Sequence, residues 1–217
     1  MMNLEGAVVL VVGASGGLGS RIATQLEGRG AIVARSSKSA GYDLRSPSVI
    51  QEVLDAAQAQ HGRIDGLVIA SGVVAFGAAA ELSTATLDEL FAVNTTSAIQ
   101  LITQSQPYLA ASAREGREPF VITLSGVVAE APVAGLAAYS ASKAALAAFV
   151  VAAAREYRRA GIRIVDARPG HTGTTLSEHP IAGAAPRFGA ALDPDAVAAR
   201  IISAIVDGEK DLPSAAF

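Results

Sequence analysis

The sequence predicts an α/β protein built around a doubly wound parallel sheet. Short apolar runs rich in β-branched residues are typical of strands buried on both faces, and they alternate with longer segments whose apolar spacing is helical. The 217 residues contain no repeat and no linker-like run, so we expect one domain, 1–217. The hydrophobic share of 51% indicates a large buried core.

The elements follow one another from the amino terminus. Residues 7–12 form the first predicted strand, and a helix is expected over 20–29. A second strand is predicted over 31–35 and a short third one over 41–43. The remaining predictions are a helix over 46–61 with Pro47 in its first turn, a strand over 66–70, two helices over 84–111 or one broken near Asn94, strands over 120–124 and 162–167, an alanine-rich helix from Tyr139, and a last helix over 193–207 with Asp193 as N-cap and Pro194 at N1. Strands separated in this way by helices give the doubly wound arrangement.

A glycine-rich turn joins the first strand to the first helix. It runs Gly13-Ala14-Ser15-Gly16-Gly17-Leu18-Gly19. Glycines permit a positive φ and a close approach of the backbone that a Cβ would block. Backbone N–H groups and the dipole of the following helix favour an anion at this point. We therefore predict a pyrophosphate site here, in preference to a tight turn without a ligand.

A tyrosine and a lysine stand four residues apart at the start of the alanine-rich segment. In Tyr139-Ser140-Ala141-Ser142-Lys143 this spacing places the phenol and the ammonium on one face of a helix, within reach of one ligand. A nearby cation favours phenolate, so we expect the pKa of Tyr139 to lie below the roughly 10 of a free tyrosine. Such a phenol is suited to be the general acid for a carbonyl oxygen.

Together, the turn and the Tyr139–Lys143 pair resemble the short-chain dehydrogenase/reductase family. The spacing Gly13-x-x-x-Gly17-x-Gly19 is similar to that family's cofactor turn. The resemblance extends along the chain through three further motifs: Asp65-Gly66-Leu67-Val68-Ile69-Ala70-Ser71-Gly72, Asn94 within Phe91-Ala92-Val93-Asn94, and Pro169-Gly170-His171-Thr172-Gly173-Thr174. It implies a single-domain Rossmann fold with about seven strands. One family helix is missing, because the stretch between the second strand and Asp43 is too short for it.

The resemblance also implies which residues act. The expected catalytic residues are Tyr139 as general acid/base, Lys143, which lowers the pKa of Tyr139 and holds the nicotinamide ribose, and Asn94, which supports a water relay. The expected cofactor-binding residues are Gly13, Ser15, Gly17, Leu18, Gly19, Arg35, Ser36, Lys38, Asp43, Leu44, Ala70, Ser71, Gly72, Tyr139, Lys143, Pro169, Gly170, Thr172 and Thr174.

The end of the second strand bears on the choice of cofactor. An NAD-selective site places an acidic residue there to bind the ribose 2′-hydroxyl. The sequence instead has Arg35-Ser36-Ser37-Lys38, whose cations and hydroxyls suit a 2′-phosphate, although an exposed, soluble loop is the alternative. By resemblance, Asp43-Leu44 matches the family's adenine-recognising aspartate. We therefore expect NADP(H), with NAD(H) possible.

One position departs from the family pattern. The family has a serine that hydrogen-bonds the reacting oxygen, and counting back thirteen residues from Tyr139 reaches Gly126 instead. The neighbouring Ser125 does not simply replace it, since successive residues at a strand end point in opposite directions. A water molecule, a substrate group or Ser125 on a bulged backbone are the alternatives. Losing one oxyanion donor typically costs on the order of 10²–10³ in rate.

Composition limits the partners. A net charge of −3 without a basic stripe argues against nucleic acid, and the longest apolar run, 144–154, is too short to span a bilayer. Zero cysteines fit a cytoplasmic protein, and His61 and His179 lack the spacing of a metal site. The alanine-rich faces of 94–111 and 139–158 lie where the resembled family forms a four-helix interface, which implies a homodimer or homotetramer.

Two functions are consistent with this sequence. The first is an NADP(H)-dependent oxidoreductase that interconverts a ketone or aldehyde and an alcohol by hydride transfer. Its substrate lid would lie at about 175–188, and His171 is either a substrate contact or a hydrogen-bonded loop histidine. The second is a catalytically weak NADP(H)-binding protein of the same fold, a sensor or a scaffold, which Gly126 favours.

Overall fold

The computed structural model describes residues 1–46 and 48–217. A five-stranded parallel sheet lies at its centre in the order β2-β1-β3-β4-β5. The strands are β1 (Val8–Val12), β2 (Ile32–Ser36), β3 (Gly66–Ile69), β4 (Phe120–Leu124) and β5 (Arg163–Ala167). The α-helices of the described residues are α1 (Gly17–Glu27), α2 (Ser48–His61), α3 (Thr84–Phe91), α4 (Ser97–Arg114), α5 (Ala137–Tyr157) and α6 (Pro194–Asp207). The predicted α/β class with a parallel sheet is confirmed.

Helices cover both faces of the sheet. Alternate side chains of a strand point to opposite faces, so β1 contributes to two separate cores. Leu10 and Val12 pack with apolar residues of α2, α4 and α5. Val9 and Val11 pack with apolar residues of α1 and α6. Burial on both faces explains why the strands are continuous apolar runs.

The order of the strands reverses at β1. The chain passes from β1 to β2 on one side and then returns to β3 on the other, with Val12 paired to Ser36 and to Ile69. In an open parallel sheet this reversal leaves a crevice beyond the carboxyl ends of the two central strands, where ligands bind. The glycine-rich turn follows β1, and Ala70-Ser71-Gly72 follows β3, so both predicted cofactor motifs border this crevice.

The sheet is smaller than predicted. The strand expected over 41–43 does not form. A single 3-10 turn, Lys38–Ala40, follows β2, and Gly41 ends it with a φ of 94° that no strand residue adopts. After α6, only one isolated bridge, between Leu212 and Ala167, extends the sheet beyond β5. The described residues therefore form five strands rather than about seven, and β2 is an outer strand.

The helix predictions hold with small shifts. α2 begins at Ser48, and the prediction for Pro47 concerns a residue outside the described ones. The expected break near Asn94 is confirmed as a π-helical turn, Ala92–Thr96, between α3 and α4. Single π-turns inside helices often mark functional sites. Asp193 caps α6 by accepting from two first-turn amides at 3.2 and 3.3 Å, and Pro194 follows it, as predicted.

The alanine-rich helix is long. With its 3-10 extension it spans Ala137–Ala160, and by length and composition it could cross a membrane. It packs against β5, and its buried side carries Lys143 between Ser140 and Leu146. Its outer side is left open, with Val151 56% exposed. A side that is buried in the core and an open apolar side are features of a helix whose outer face is available to another chain.

Candidate active site

The glycine-rich turn lies directly against the segment that follows β3. A Cβ added to Gly13 would lie 2.5 Å from the Ser71 nitrogen and 2.8 Å from the Ala70 carbonyl carbon. Gly13 also has a φ of 87°. A Cβ on Gly19 would lie 2.2 Å from the Gly13 oxygen, and one on Gly17 would meet the Thr174 side chain at 2.5 Å. These contacts explain why only glycine fits at the three positions.

The turn is also tied to β2 and opens into a helix end. Gly13 N–H and Ala14 N–H donate to the Ser36 carbonyl at 2.8 and 3.0 Å. Within the described residues, no side chain caps the amino terminus of α1, and its first turn carries no acidic residue. Uncapped first-turn amides form a site for an anion.

Two buried hydroxyls border the same crevice. Ser36 is 3% exposed at the carboxyl end of β2, and Ser71 follows β3. Neither Oγ has a hydrogen-bond partner among the described residues. Buried polar groups normally have partners, so these two hydroxyls are suited to meet a polar ligand.

The two cations near the end of β2 are each paired with a carboxylate. The Arg35 guanidinium contacts the Glu27 carboxylate at 2.9 and 3.2 Å. Lys38 is mostly exposed and lies 3.9 Å from the Asp43 carboxylate. The hydrogen bond from Arg45 holds the pKa of Asp43 at about 2. Leu44, next to Asp43 in the chain, packs against the core beneath α2.

The loop after β5 closes the other side of the crevice. Its residues Pro169, Gly170 and Thr172 form a compact turn, in which the Pro169 carbonyl accepts from Val127 N–H at 2.9 Å and the Thr172 hydroxyl donates to the Gly170 carbonyl at 3.0 Å. A cavity of about 350 Å³ lies between this loop and α1. It is lined by Gly17, Arg21, His171, Gly173, Thr174, Thr175, Ser177 and Glu178.

Arg21 is a cation in the wall of this cavity and was not among the predicted site residues. It donates to the Gly17 carbonyl at 2.8 Å, and its Nε lies 3.3 Å from the Asp195 carboxylate. The signal for it in the sequence is weak, because an arginine in the first helix after the turn is also an ordinary surface residue.

Tyr139, Lys143 and Asn94 lie close together beyond the ends of β3 and β4. The Lys143 ammonium is buried and donates to the Leu124 carbonyl at 2.7 Å. It lies 5.9 Å from the centre of the Tyr139 ring. A Cβ placed on Gly72 would lie 3.3 Å from Asn94 Oδ1 and 3.4 Å from Lys143 Nζ. The structure thus brings the three predicted catalytic residues together at one point.

Asn94 joins three parts of this site. Its amide oxygen accepts from Val73 N–H at 2.9 Å, and its amide nitrogen donates to the Val73 carbonyl at 2.9 Å and to the Ser142 hydroxyl at 3.1 Å. The next residue, Thr95, donates to the Ser142 carbonyl at 2.8 Å. The π-helical turn therefore fixes α5 relative to the chain that follows β3.

The prediction that the pKa of Tyr139 lies below 10 is wrong. Burial raises the pKa of Tyr139 to about 12. Burial also lowers the pKa of Lys143 to about 8, and the negative charge of Asp166 opposes that effect. Because the Lys143 ammonium is bound to the Leu124 carbonyl, burial of the phenol outweighs the cation nearby.

Comparison with known proteins places the chain in a family. The family model described as short chain dehydrogenase matches residues 34–182, a range that begins within β2. The 2,3-dihydro-2,3-dihydroxybenzoate dehydrogenase of Escherichia coli is 31% identical over 191 residues, which cover 81% of this chain and 73% of that protein. This chain belongs to the short-chain dehydrogenase family. It is thus an oxidoreductase of a family that acts on CH–OH and carbonyl groups.

Other relatives agree with this family and fold. The 3-oxoacyl-[acyl-carrier-protein] reductase of Escherichia coli is 28% identical over 193 residues, covering 81% of this dehydrogenase and 78% of that protein. A short-chain dehydrogenase from Streptomyces avermitilis superposes with a TM-score of 0.81 at 27% identity, covering 96% and 88% of the two chains. The 3-ketoacyl-(acyl-carrier-protein) reductase of Brucella melitensis, solved with NADH, superposes with a TM-score of 0.86 at 22% identity over 97% of each chain.

Gly126 of this dehydrogenase has a backbone that suits glycine alone. Its φ of 80° and ψ of 168° lie in a region that other residues essentially never adopt. The space beside it is open, since an added Cβ would meet only the Pro169 oxygen, at 3.5 Å. Ser125 is buried and donates its hydroxyl to the Asp166 carboxylate. Ser125, one of the alternatives for the missing hydroxyl, therefore bonds to Asp166 in this structure.

The side of the dehydrogenase site next to Tyr139 is apolar. Val74, Phe76 and Leu136 form a small buried cluster, and Tyr139 and Val128 pack against it. Two backbone hydrogen bonds join the predicted lid to this cluster. Ile181 N–H donates to the Val74 carbonyl at 2.8 Å, and Phe76 N–H donates to the Ala182 carbonyl at 2.9 Å. The Phe188 ring stacks on His171 with centroids 4.2 Å apart and is tilted against Phe76 at 6.0 Å. His171 thus stacks on a lid residue and also lines the cavity beside α1.

A polar network behind the dehydrogenase site was not predicted. Asp166 is buried in β5, and Arg168 contacts it together with Glu130 and Asp211. Glu130 also accepts from Ser214 of the carboxyl-terminal segment. The only signal in the sequence is an aspartate inside the apolar run 162–167.

Proposed function

We propose that this dehydrogenase is NADP(H)-dependent and interconverts a ketone or aldehyde and an alcohol. The observation that carries the proposal is the buried Lys143 ammonium beside Asn94 and Tyr139 at the carboxyl edge of the sheet. A buried lysine costs free energy, and its hydrogen bond goes to a carbonyl rather than to a carboxylate. Perturbed ionisable groups in a crevice of this kind are typical of catalytic sites.

The residues around the crevice fit a nicotinamide dinucleotide. The amino terminus of α1 and the glycine-rich turn suit the pyrophosphate. The hydroxyls of Ser36 and Ser71, which have no partner in the part of the chain that the structure describes, suit the sugar hydroxyls. We assign Asp43 and Leu44 to the adenine and the loop 169–174 to the nicotinamide. The remaining assigned residues are Gly13, Ser15, Gly17, Leu18, Gly19, Ala70, Gly72, Tyr139 and Lys143.

Selectivity for the 2′-phosphate is assigned to Arg35 and Lys38, because no acidic residue ends β2. The Arg35 guanidinium must then exchange Glu27 for the phosphate, while Lys38 is already largely open to solvent. The Brucella melitensis neighbour was solved with NADH, so NAD(H) is the alternative cofactor.

The proposed chemistry uses three side chains. The bound nicotinamide supplies or accepts the hydride. A phenol with a pKa of about 12 is fully protonated at neutral pH, so Tyr139 is in the correct form to give its proton to a carbonyl oxygen. Lys143 holds the ribose and stabilises the phenolate that forms. Asn94 supports a water relay to Lys143, through which the Tyr139 phenolate regains its proton.

We infer that the substrate is a small molecule with an apolar body. The cluster around Phe76 and Leu136 packs on the Tyr139 ring, and Phe188 extends the same surface over His171. An apolar wall favours an uncharged ketone or aldehyde, because a charged substrate would lose its hydration there without gaining a partner.

A second function is favoured by the serine position. Gly126 brings no hydroxyl to the reacting oxygen, and the Ser125 hydroxyl is bound to Asp166. These two features support a catalytically weak NADP(H)-binding protein, a sensor or a scaffold, as the alternative.

Steady-state NADPH oxidation with a panel of ketones and aldehydes separates the two functions. We expect turnover by wild type and its loss in Tyr139→Phe, with NADPH binding by calorimetry nearly unchanged because only the hydroxyl is removed. Tyr108→Phe is the matched control, since the Tyr108 hydroxyl bonds to Asp55 outside the site. If all three proteins oxidise NADPH at the same background rate across the panel, the binding function replaces the enzymatic one.

We also propose a cytoplasmic homodimer or homotetramer. α5 has an open apolar side that includes Val151, and α4 lies beside it. An apolar helical surface of this length is a liability in a monomer and suits a two-fold interface.

A further inference from the structure

A buried carboxylate lies behind the candidate active site, on the strand next to β4. Asp166 in β5 is 4% exposed and is paired with Thr123 in the sheet register. Its Oδ1 accepts from the Thr123 hydroxyl at 2.6 Å and from Ser125 N–H at 3.2 Å, and its Oδ2 accepts from the Ser125 hydroxyl. These two residues flank Leu124, whose carbonyl accepts from Lys143. Asp166 therefore fixes both neighbours of the carbonyl that binds the catalytic ammonium.

The charged groups around Asp166 come from two elements. Arg168, on the loop after β5, has Nη1 at 3.6 Å from Asp166 Oδ2, but it also contacts Glu130 and Asp211. Three carboxylates thus share one guanidinium. Lys143 comes from α5, and the partners on β4 are neutral hydroxyls and an amide. Arg168 is thus shared among three carboxylates, and Lys143 is a second cation whose charge acts on Asp166.

We propose that Asp166 is a positioning residue that keeps Lys143 charged and holds the Ser125 hydroxyl turned away from the substrate. Burial alone drives both groups towards their neutral forms, because it raises the pKa of Asp166 and lowers that of Lys143 to about 8. Each charge opposes the effect of burial on the other. The catalytic meaning of this coupling rests on the proposed function, whereas the coupling itself does not.

The titration of Lys143 tests the proposal without a substrate or a cofactor. The chain contains three lysines, Lys38, Lys143 and Lys210, so the NMR spectrum of protein labelled with ε-¹³C-lysine is simple. Lys143→Met assigns the Lys143 resonance by its disappearance. We expect Asp166→Asn to lower the titration midpoint of Lys143 by roughly one pH unit, the low end of the shift that a nearby opposite charge causes, because the ammonium donates to the Leu124 carbonyl rather than to the carboxylate.

Asp211→Asn is the matched control. It removes the same charge from the same guanidinium, but Asp211 is largely exposed and forms no bond with β4. We expect it to leave the Lys143 midpoint where it is in wild type. An unchanged midpoint in Asp166→Asn, or equal shifts in the two variants, would overturn the proposal.

A second measurement covers the case in which Asp166→Asn does not fold. In protein labelled at the aspartate carboxyl carbons, Lys143→Met should raise the titration midpoint of Asp166, since the carboxylate loses a neighbouring cation. An unmoved Asp166 midpoint in that variant contradicts the coupling. If the enzyme turns over, the pH profile of kcat/KM should move in Asp166→Asn in the direction of the Lys143 midpoint. Absence of turnover in wild type counts against the proposed function and leaves the NMR result to decide on Asp166.

Discussion

Replacing Gly126 by serine restores a hydroxyl at the position where the family has its oxyanion donor, and the structure sets the size of the effect. The cost is in the backbone. At a φ of 80° and a ψ of 168°, any residue with a Cβ is strained by about 1–3 kcal/mol. Steric contact adds little, because the nearest atom to the new Cβ is the Pro169 oxygen at 3.5 Å. The gain is in the transition state, where one well-placed donor is worth about 2.7–4 kcal/mol, or 10²–10³ in kcat.

Gly126→Ala separates these two effects, because it carries the same strain without the hydroxyl. We expect both variants to lose a similar free energy of unfolding in urea titrations, about 1–3 kcal/mol. With a small ketone, NADPH oxidation by Gly126→Ser should then exceed that by Gly126→Ala by up to about 10²–10³ in kcat, because the strain is common to both variants and only the hydroxyl differs.

Equal kcat values for the serine and alanine variants on every carbonyl compound would refute the reasoning, since the position would then not face the reacting oxygen. A different pattern would identify a different role for the glycine. If Gly126→Ser and Gly126→Ala both slow the reaction of bulky ketones and spare small ones, the glycine provides space for a large substrate.

Three further predictions concern the cofactor, the assembly and the fold. NADPH should bind more tightly than NADH by roughly tenfold or more in calorimetry, through charge-assisted contacts. Arg35→Gln should remove this preference and Glu27→Gln, which frees the guanidinium, should increase it; equal affinities for the two cofactors in wild type would contradict the assignment. Light scattering should give a dimer or tetramer that Val151→Glu splits, whereas a monomeric wild type would exclude the proposed interface. Asp65→Ala should unfold at lower urea concentration, because a buried backbone amide and a buried serine hydroxyl lose their acceptor at roughly 1–3 kcal/mol each. Hydrogen bonds and Arg63 hold the pKa of Asp65 below its ordinary 3.8 against the effect of burial, so the difference from wild type should shrink as the pH falls below that value. A constant difference down to pH 2 would contradict the role of the carboxylate.

Local patterns predict much of this fold and the position of its site. The apolar run before Gly13 and the glycines after it predict a strand, a tight turn and a helix end, and all three form. The cap at Asp193 and the break at Asn94 follow from short-range chemistry as well. The strand expected over 41–43 does not form. Gly41 ends the preceding 3-10 turn in a left-handed conformation, and the sheet of the described residues ends at β2, so residues 41–43 pair with no strand.

Features that depend on tertiary packing were not predictable. The four-residue spacing places Tyr139 and Lys143 on one face of a helix. It does not reveal that burial raises the pKa of the Tyr139 phenol or that the Lys143 ammonium donates to the Leu124 carbonyl. The bond between Ser125 and Asp166 depends on the register of β4 against β5, which brings together residues far apart in sequence.

The short connection after β2 keeps the residues proposed to select the nucleotide apart from the residues proposed to transfer the proton. Arg35, Lys38 and Asp43 all belong to the stretch 35–45, at the outer strand. Asn94, Tyr139 and Lys143 lie beyond β3 and β4, where Asn94 bonds to Val73 and Lys143 donates to the Leu124 carbonyl. Substitutions at the exposed positions of this stretch can therefore accumulate without disturbing the proton-transfer residues, whereas Tyr42 and Leu44 pack against the core that α5 shares. Exchanging the stretch 35–45 as one unit for the corresponding stretch of a relative is thus a route to changing which nucleotide the protein uses.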